Sequence, residues 1–170
     1  NLKIKIILYK MSIFSLLRKI NRENNPNYWV PFFYNSKYLA KEEYTKYLKK
    51  AEKEIKIICG ECNPIYYESA EFLQLFKDIS RKGIKLTLAF NKKAGNLEEF
   101  LDRFKEDNKI FYEAIQTLPK EIKENTKLIW LKKRPNQHYA IIDNCSVVLE
   151  ENHKVGEPRD MYFIPNSIKD

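Results

Sequence analysis

Three short apolar runs, held apart by helix-like stretches, constrain this chain most. EIKIIC at 54–59, IKLTLAF at 84–90 and KLIWL at 127–131 are short, rich in β-formers and bounded by turn residues, which predicts strands. Between the first two, Asn63-Pro64 opens a helical segment whose apolar face carries Phe72, Leu73, Phe76 and Ile79, and Gly83 is placed to end it. Between the second and third, Asn96-x-x-Glu99 reads as a capping box for a helix ending near Asp107. Phe111 to Glu124 continues as helix, interrupted at Pro119. Upstream, Ser36 can cap a helix running to about Lys53, with Ala40, Tyr44, Tyr47, Leu48 and Ala51 on its buried stripe. After the third run, Tyr139 to Ile142 and Val147 to Leu149 flank Asp143-Asn144-Cys145-Ser146 as a β-hairpin, and Met161 to Ile164 forms a further strand.

The order β-α-β-α-β followed by three strands predicts an α/β fold. Its sheet should be mixed, mainly parallel and flanked by helices, with a C-terminal antiparallel hairpin. Sheets of this kind bind ligands beyond the carboxyl ends of their parallel strands, where Glu61 and Asn91 fall. Residues 36–170 make up that domain. Residues 1–35 read as an N-terminal arm or helix and a wrapping segment. In it, Ile13, Leu16, Leu17 and Ile20 are spaced as on a helix, and the aromatic run NNPNYWVPFFYN is extended by Pro26 and Pro31.

Charge bears on partners. The chain carries 31 Lys and Arg against 23 Asp and Glu, a net +8, and the excess is all in residues 1–85, which hold 17 basic and 9 acidic residues. That balance favours an anionic partner, nucleic acid or a membrane surface. Lys46, Lys49, Lys50 and Lys53 on the first helix form the expected electrostatic surface for nucleic acid. Membrane-surface contact by residues 1–20 is the weaker alternative. Lysines and arginines interrupt that stretch well short of the ~20 apolar residues a span needs.

Three cysteines, Cys59, Cys62 and Cys145, make an odd number, which points to a reducing, cytoplasmic setting. Cys59-Gly60-Glu61-Cys62 has C-x-x-C spacing, with Cys145, His138 and His153 as the available further ligands. There is no second such pair, so neither a metal nor a cofactor is expected. Cys59 reads as a buried strand-end thiol.

The chemistry-bearing residues gather around the hairpin. His138 opens its first strand and Asp143 ends it, Glu150, Glu151 and His153 follow its second strand, and Arg159 precedes the next. Their place on the late strands after the β-α-β units resembles one half of the phospholipase D superfamily, which carries His-x-Lys-x4-Asp followed by Gly-Ser-x-Asn. Anchored on Asp143, the lysine position falls on His138 and the histidine position on Asn136. The Gly-Ser positions fall on Glu150 and Glu151, and the Asn position on His153. The match is a degenerate one, in which Asp143 alone agrees with the motif. The resemblance implies a phosphodiester ligand and a second half-site from a partner copy, hence a homodimer through the half-site face. Asn136 is no nucleophile, so the family's phosphohistidine chemistry does not carry across.

Three functional expectations follow. The first is a phosphodiester-binding module, with nucleic acid as ligand, that lacks the family's catalysis. It would bind through His138, Asp143, Glu150, Glu151, His153, Arg159 and Glu61. The second is an active phosphodiesterase or nuclease using His138 and His153 as nucleophile and acid, or as an acid/base pair. The third is a structural or partner-binding domain. Strand alternation puts His138 on the face of Ala140 and Ile142, at the sheet's end and not in the core.

Overall fold

A computed structural model describes residues 30–34, 37–135, 137–150 and 159–164. In chain order the elements are β1 (Val30–Tyr34), α1 (Lys37–Leu48), β2 (Glu54–Cys59), α2 (Pro64–Tyr67), α3 (Ala70–Arg81) and β3 (Lys85–Asn91). They continue as α4 (Leu97–Asp107), α5 (Lys109–Gln116), α6 (Lys120–Lys123), β4 (Thr126–Leu131), β5 (His138–Ile142), β6 (Ser146–Glu150) and β7 (Arg159–Ile164). The described strands form one sheet in the order β1-β7-β6-β5-β2-β3-β4.

The three predicted parallel strands are present and adjacent, β2 beside β3 and β3 beside β4. The hairpin continues the same sheet, because β5 pairs antiparallel with β2. Antiparallel pairing is nonetheless the larger share. The pairs β1–β7, β7–β6, β6–β5 and β5–β2 are all antiparallel, so "mainly parallel" holds only for the β2-β3-β4 side. Strands β5, β6 and β7 already supply three antiparallel pairs against two parallel ones, and β1 adds a fourth. Val30–Tyr34 lies in the stretch expected to wrap the domain, yet it pairs with β7 as an edge strand. Pro31 has no N–H to give a ladder, and an edge strand has one side that needs none. Residues 1–29, with the helical spacing of Ile13 to Ile20, lie outside the described residues.

Because β2, β3 and β4 are neighbours in sequence order, right-handed crossovers place their helices on one face of the sheet. That face carries Ile55, Ile57, Leu86, Leu88, Phe90, Ala140, Ile142 and Val148, all buried. Helix side chains close over it as an aromatic cluster. Phe111, fully buried, meets Phe72 and Phe76 edge-on at ring distances of 5.2 and 5.1 Å. Tyr47 of α1 stacks on Phe163 of β7 at 4.2 Å, which ties the first helix to the last strand. No described helix is long and apolar enough to cross a membrane.

Caps set the helix boundaries. The predicted helix after Pro64 is broken in two, since Ser69 caps α3 by accepting the Phe72 N–H at 3.2 Å. Asn96 accepts the Glu99 N–H at 2.9 Å, and the Glu99 carboxylate accepts the Gly95 N–H at 2.6 Å, the reciprocal pattern of a capping box. Helix α5 has no local side-chain cap, because Asn108 turns its amide to the Cys62 carbonyl. Glu68, more than 40 residues upstream, supplies it and accepts the Ile110 N–H at 2.7 Å. Gly83 ends α3 with φ +70°, a conformation glycine takes without strain.

Candidate phosphodiester site at the strand ends

The carboxyl ends of β2, β3 and β4 are tied together by polar contacts. The Asn91 N–H donates to the Gly60 carbonyl at 3.1 Å, and the Asn91 amide donates to the Leu131 carbonyl at 2.7 Å. The Trp130 indole N–H donates to the Lys92 carbonyl at 3.2 Å. Lys92 itself is paired with Asp107. The chain beyond these strands is therefore held along one edge.

On that edge His138 and Arg134 close over Gly60. A Cβ built on Gly60 would stand 2.7 Å from His138 Nε2, 2.8 Å from Arg134 Nε and 3.3 Å from Arg134 Nη2. Any larger residue would displace the imidazole, the guanidinium or both, so glycine is what lets them meet over the backbone. His138 opens β5 directly opposite Glu150 on β6. Its Nδ1 lies 3.7 Å from Glu150 Oε2, and the two side chains are only 15% and 14% exposed. The imidazole thus has one nitrogen toward a carboxylate and the other toward Gly60 and the guanidinium. It lies at the sheet's end, as expected, but is more sheltered than a projecting side chain. Arg134 is exposed and forms no ion pair with another described residue.

Tyr44, Tyr66 and Cys59 line the ground beside Glu150. Burial pushes the Tyr44 phenol well above its ordinary value, with the Tyr66, Cys59 and Glu150 charges adding. Burial also raises Tyr66, partly offset by its 3.1 Å hydrogen bond with the Thr45 hydroxyl. Burial pushes the Cys59 thiol up to about 12, against a weak contact from the Tyr67 hydroxyl at 3.6 Å. Cys62 is buried and raised as well. Both cysteines of the C-x-x-C spacing lie in the hydrophobic core. Among the described residues no three His, Cys, Asp or Glu side chains cluster as a metal site requires.

The residues expected to act together are divided by the fold. His138 and Glu150 meet. Glu61 is exposed at the same edge, directly after Gly60. Arg159 opens β7, and the Glu150–Met161 register places its backbone toward this edge. Glu151 and His153 lie outside the described residues. Asp143 lies at the other end of β5. Its carboxylate accepts the backbone N–H groups of Glu52, Lys53 and Glu54 at 2.9, 2.8 and 2.9 Å, which ties the hairpin turn to the start of β2. Burial raises its carboxyl, but those three donors outweigh it and hold the pKa below the usual range. Asp143 thus ties the hairpin turn to β2, at the opposite end of β5 from His138. Lys46, Lys49, Lys50 and Lys53 are exposed, but they precede β2 and so sit at the far edge, roughly 20 Å from Gly60 at ~3.3 Å per strand residue.

Arg134 and Gly60 were not among the expected site residues, nor were the exposed Lys93, Lys132 and Lys133 that follow β3 and β4 on the same edge. The available clue is the run Lys132-Lys133-Arg134-Pro135 directly after a parallel strand, where ligands of α/β sheets bind.

No family model matches the sequence, and no curated protein does. Among solved structures the chain is similar to TrmBL2, an archaeal chromatin protein whose structure shows a novel mode of DNA binding. The TM-score is 0.51 at 15% identity, covering 97% of this chain and 57% of TrmBL2. It is also similar to polyphosphate kinase from Porphyromonas gingivalis, with TM-score 0.53 at 12% identity over 85% of this chain and 25% of the kinase. Nuc, a phospholipase D family member from Salmonella typhimurium, aligns at TM-score 0.49 and 8% identity over 82% of this chain and 83% of Nuc. The chain thus spans a little over half of TrmBL2 and a quarter of the kinase. Those two likenesses establish the α/β fold.

Proposed function

We propose that this domain is a divergent phospholipase D-like module that binds a phosphodiester, with nucleic acid as ligand, at the carboxyl ends of β2, β3 and β4. The observation that carries the reading is the approach of His138 Nε2 and the Arg134 guanidinium to Gly60. Two donors converging over bare backbone suit an anionic oxygen, and the planar guanidinium suits phosphate in particular. Lys93, Lys132 and Lys133 extend the positive strip along the edge. TrmBL2, which shares the fold, binds DNA, which makes nucleic acid the first ligand to try. The residue at the family's nucleophile position is Asn136, so binding without cleavage is the primary reading.

The test is fluorescence anisotropy of a labelled oligonucleotide against the wild type, His138→Ala and Arg134→Ala across a salt series. Each variant removes a hydrogen bond to a charged group, about 1.5–3 kcal/mol, or roughly a tenfold to hundredfold loss of affinity. Binding should also weaken steeply with salt. Unchanged affinity in both variants would refute the site.

One observation favours a second reading. Glu150 Oε2 stands 3.7 Å from Nδ1, near where a carboxylate orients a catalytic histidine, with Nε2 on the Gly60 side. If the purified chain cleaves a phosphodiester and His138→Ala abolishes that cleavage, phosphodiesterase activity replaces binding alone.

A further inference from the structure

Both ends of the parallel strands are basic, and they face away from each other. One end holds the strip just described. At the other, Lys53 precedes β2, Lys82 precedes β3 and Lys85 opens β3, all exposed. The Lys85 N–H donates to the Lys53 carbonyl at 2.9 Å, so these chain segments are held side by side. Lys49 and Lys50 close α1 just before them. Local acids offset only part of this charge, since five lysines gather here. Glu54 is paired with Lys56 at 3.1 Å, and the Asp143 carboxylate is engaged by three backbone N–H groups. Exposed Glu52 and Glu124, the latter just before β4, are the remaining acids beside the strand starts.

The two ends are roughly 20 Å apart, the length of β2 at ~3.3 Å per residue. The Debye length at physiological salt is about 8 Å, so neither end feels the other's charge and each acts as its own site. A DNA duplex, with a persistence length of about 150 base pairs, does not bend around a domain of this size at low cost. A duplex seated on one end therefore leaves the other end open to a different segment.

We propose that this chain holds two nucleic-acid segments at once, one at each end of β2, and so bridges them. The proposal rests on the phosphodiester reading for the first end. The second end is a lysine surface that takes any phosphate backbone without sequence preference.

The experiment mixes the full chain with two populations of one duplex of about 30 base pairs, far below the persistence length. One population carries a donor dye and the other an acceptor. Energy transfer reports bridging, anisotropy reports binding, and sedimentation reports both the duplexes bound per chain and whether the chain is a monomer. The far-end variant is Lys49→Glu/Lys53→Glu/Lys82→Glu. It leaves Lys50 in place because that ammonium stands over the Tyr47 and Phe163 rings. The near-end variant is His138→Ala/Arg134→Ala. The expected result is energy transfer by the monomeric wild type, two duplexes per chain, and loss of the transfer to baseline in either variant while each still binds one duplex.

One duplex per chain with no transfer would overturn the bridge. So would a dimer whose transfer survives both variants. Loss of all binding in the near-end variant would also overturn the bridge while leaving the proposed function standing. Full binding and transfer in that variant would overturn the proposed function and the bridge together.

Discussion

Replacing Asp143 separates fold from site. Its Oδ1 accepts the N–H groups of Lys53 and Glu54, its Oδ2 accepts that of Glu52, and its φ is +53°. A hydrogen bond to a charged group contributes about 1.5–3 kcal/mol, but water can replace part of a half-exposed set and the three are not additive, which leaves about 2–4 kcal/mol for the carboxylate. Asp143→Ala adds about 1 kcal/mol of left-handed backbone strain, which Asp143→Gly relieves. Asp143→Asn keeps the two bonds to one oxygen and turns an amide against the Glu52 N–H, at a cost of about 1–2 kcal/mol. Urea unfolding should therefore rank alanine as most destabilised and asparagine as least, with the slope unchanged. Because the folded-state carboxyl is held below its usual range, its contribution is full above the ordinary carboxylate pKa and is lost as pH falls through the lower folded value. The gap between wild type and Asp143→Asn should close on acidification. Oligonucleotide affinity at the His138 end should match the wild type in the folded variants, since Asp143 lies at the other end of β5. A cost below about 1 kcal/mol for Asp143→Ala, or a tenfold affinity loss in Asp143→Asn, would refute this account.

Gly60→Ala should cost at least roughly tenfold in oligonucleotide affinity with little change in the urea midpoint, since the atoms nearest the methyl belong to a flexible arginine and an edge imidazole; retained affinity would mean these two side chains do not act there. Phe111→Ala should destabilise by about 3–5 kcal/mol, because the ring is fully buried among Tyr67, Phe72, Phe76 and Phe104. Glu68→Ala should cost about 1 kcal/mol by uncapping α5, read from the same urea curves. Thiol titration of the native protein should show Cys145 reacting first and Cys59 and Cys62 slowly, since both are buried with raised thiols.

The sheet's interior was legible because burial imprints itself locally. Ile55, Ile57 and Cys59 alternate with half-exposed neighbours, and the run Tyr139 to Ile142 does the same before its turn. The edge was not. β1 exists by virtue of a partner about 130 residues away, and nothing near Pro31 announces a strand. The site divides the same way. His138 and Glu150 face each other by hairpin register, which spacing alone predicts. Arg134 reaches Gly60 only because the chain after β4 returns over β2, a path set by tertiary contacts. Spacing locates the Asp143 carboxylate without saying that its oxygens accept three backbone N–H groups. The lysines of the first helix were correctly read as exposed, but which end of the sheet they occupy depends on the strand order.

The pairing of β1 with β7 bears on how the protein is made. β1 leaves the ribosome about 125 residues before β7, its one strand partner among the described residues. Closing a loop of that size costs entropy before any contact rewards it, so this pair should form last. In the interval Val30–Tyr34 is an unpaired strand with apolar side chains, the kind of segment that sticks to its neighbours on a polysome. Pro31, which withholds one donor from any foreign ladder, is a natural brake on that hazard.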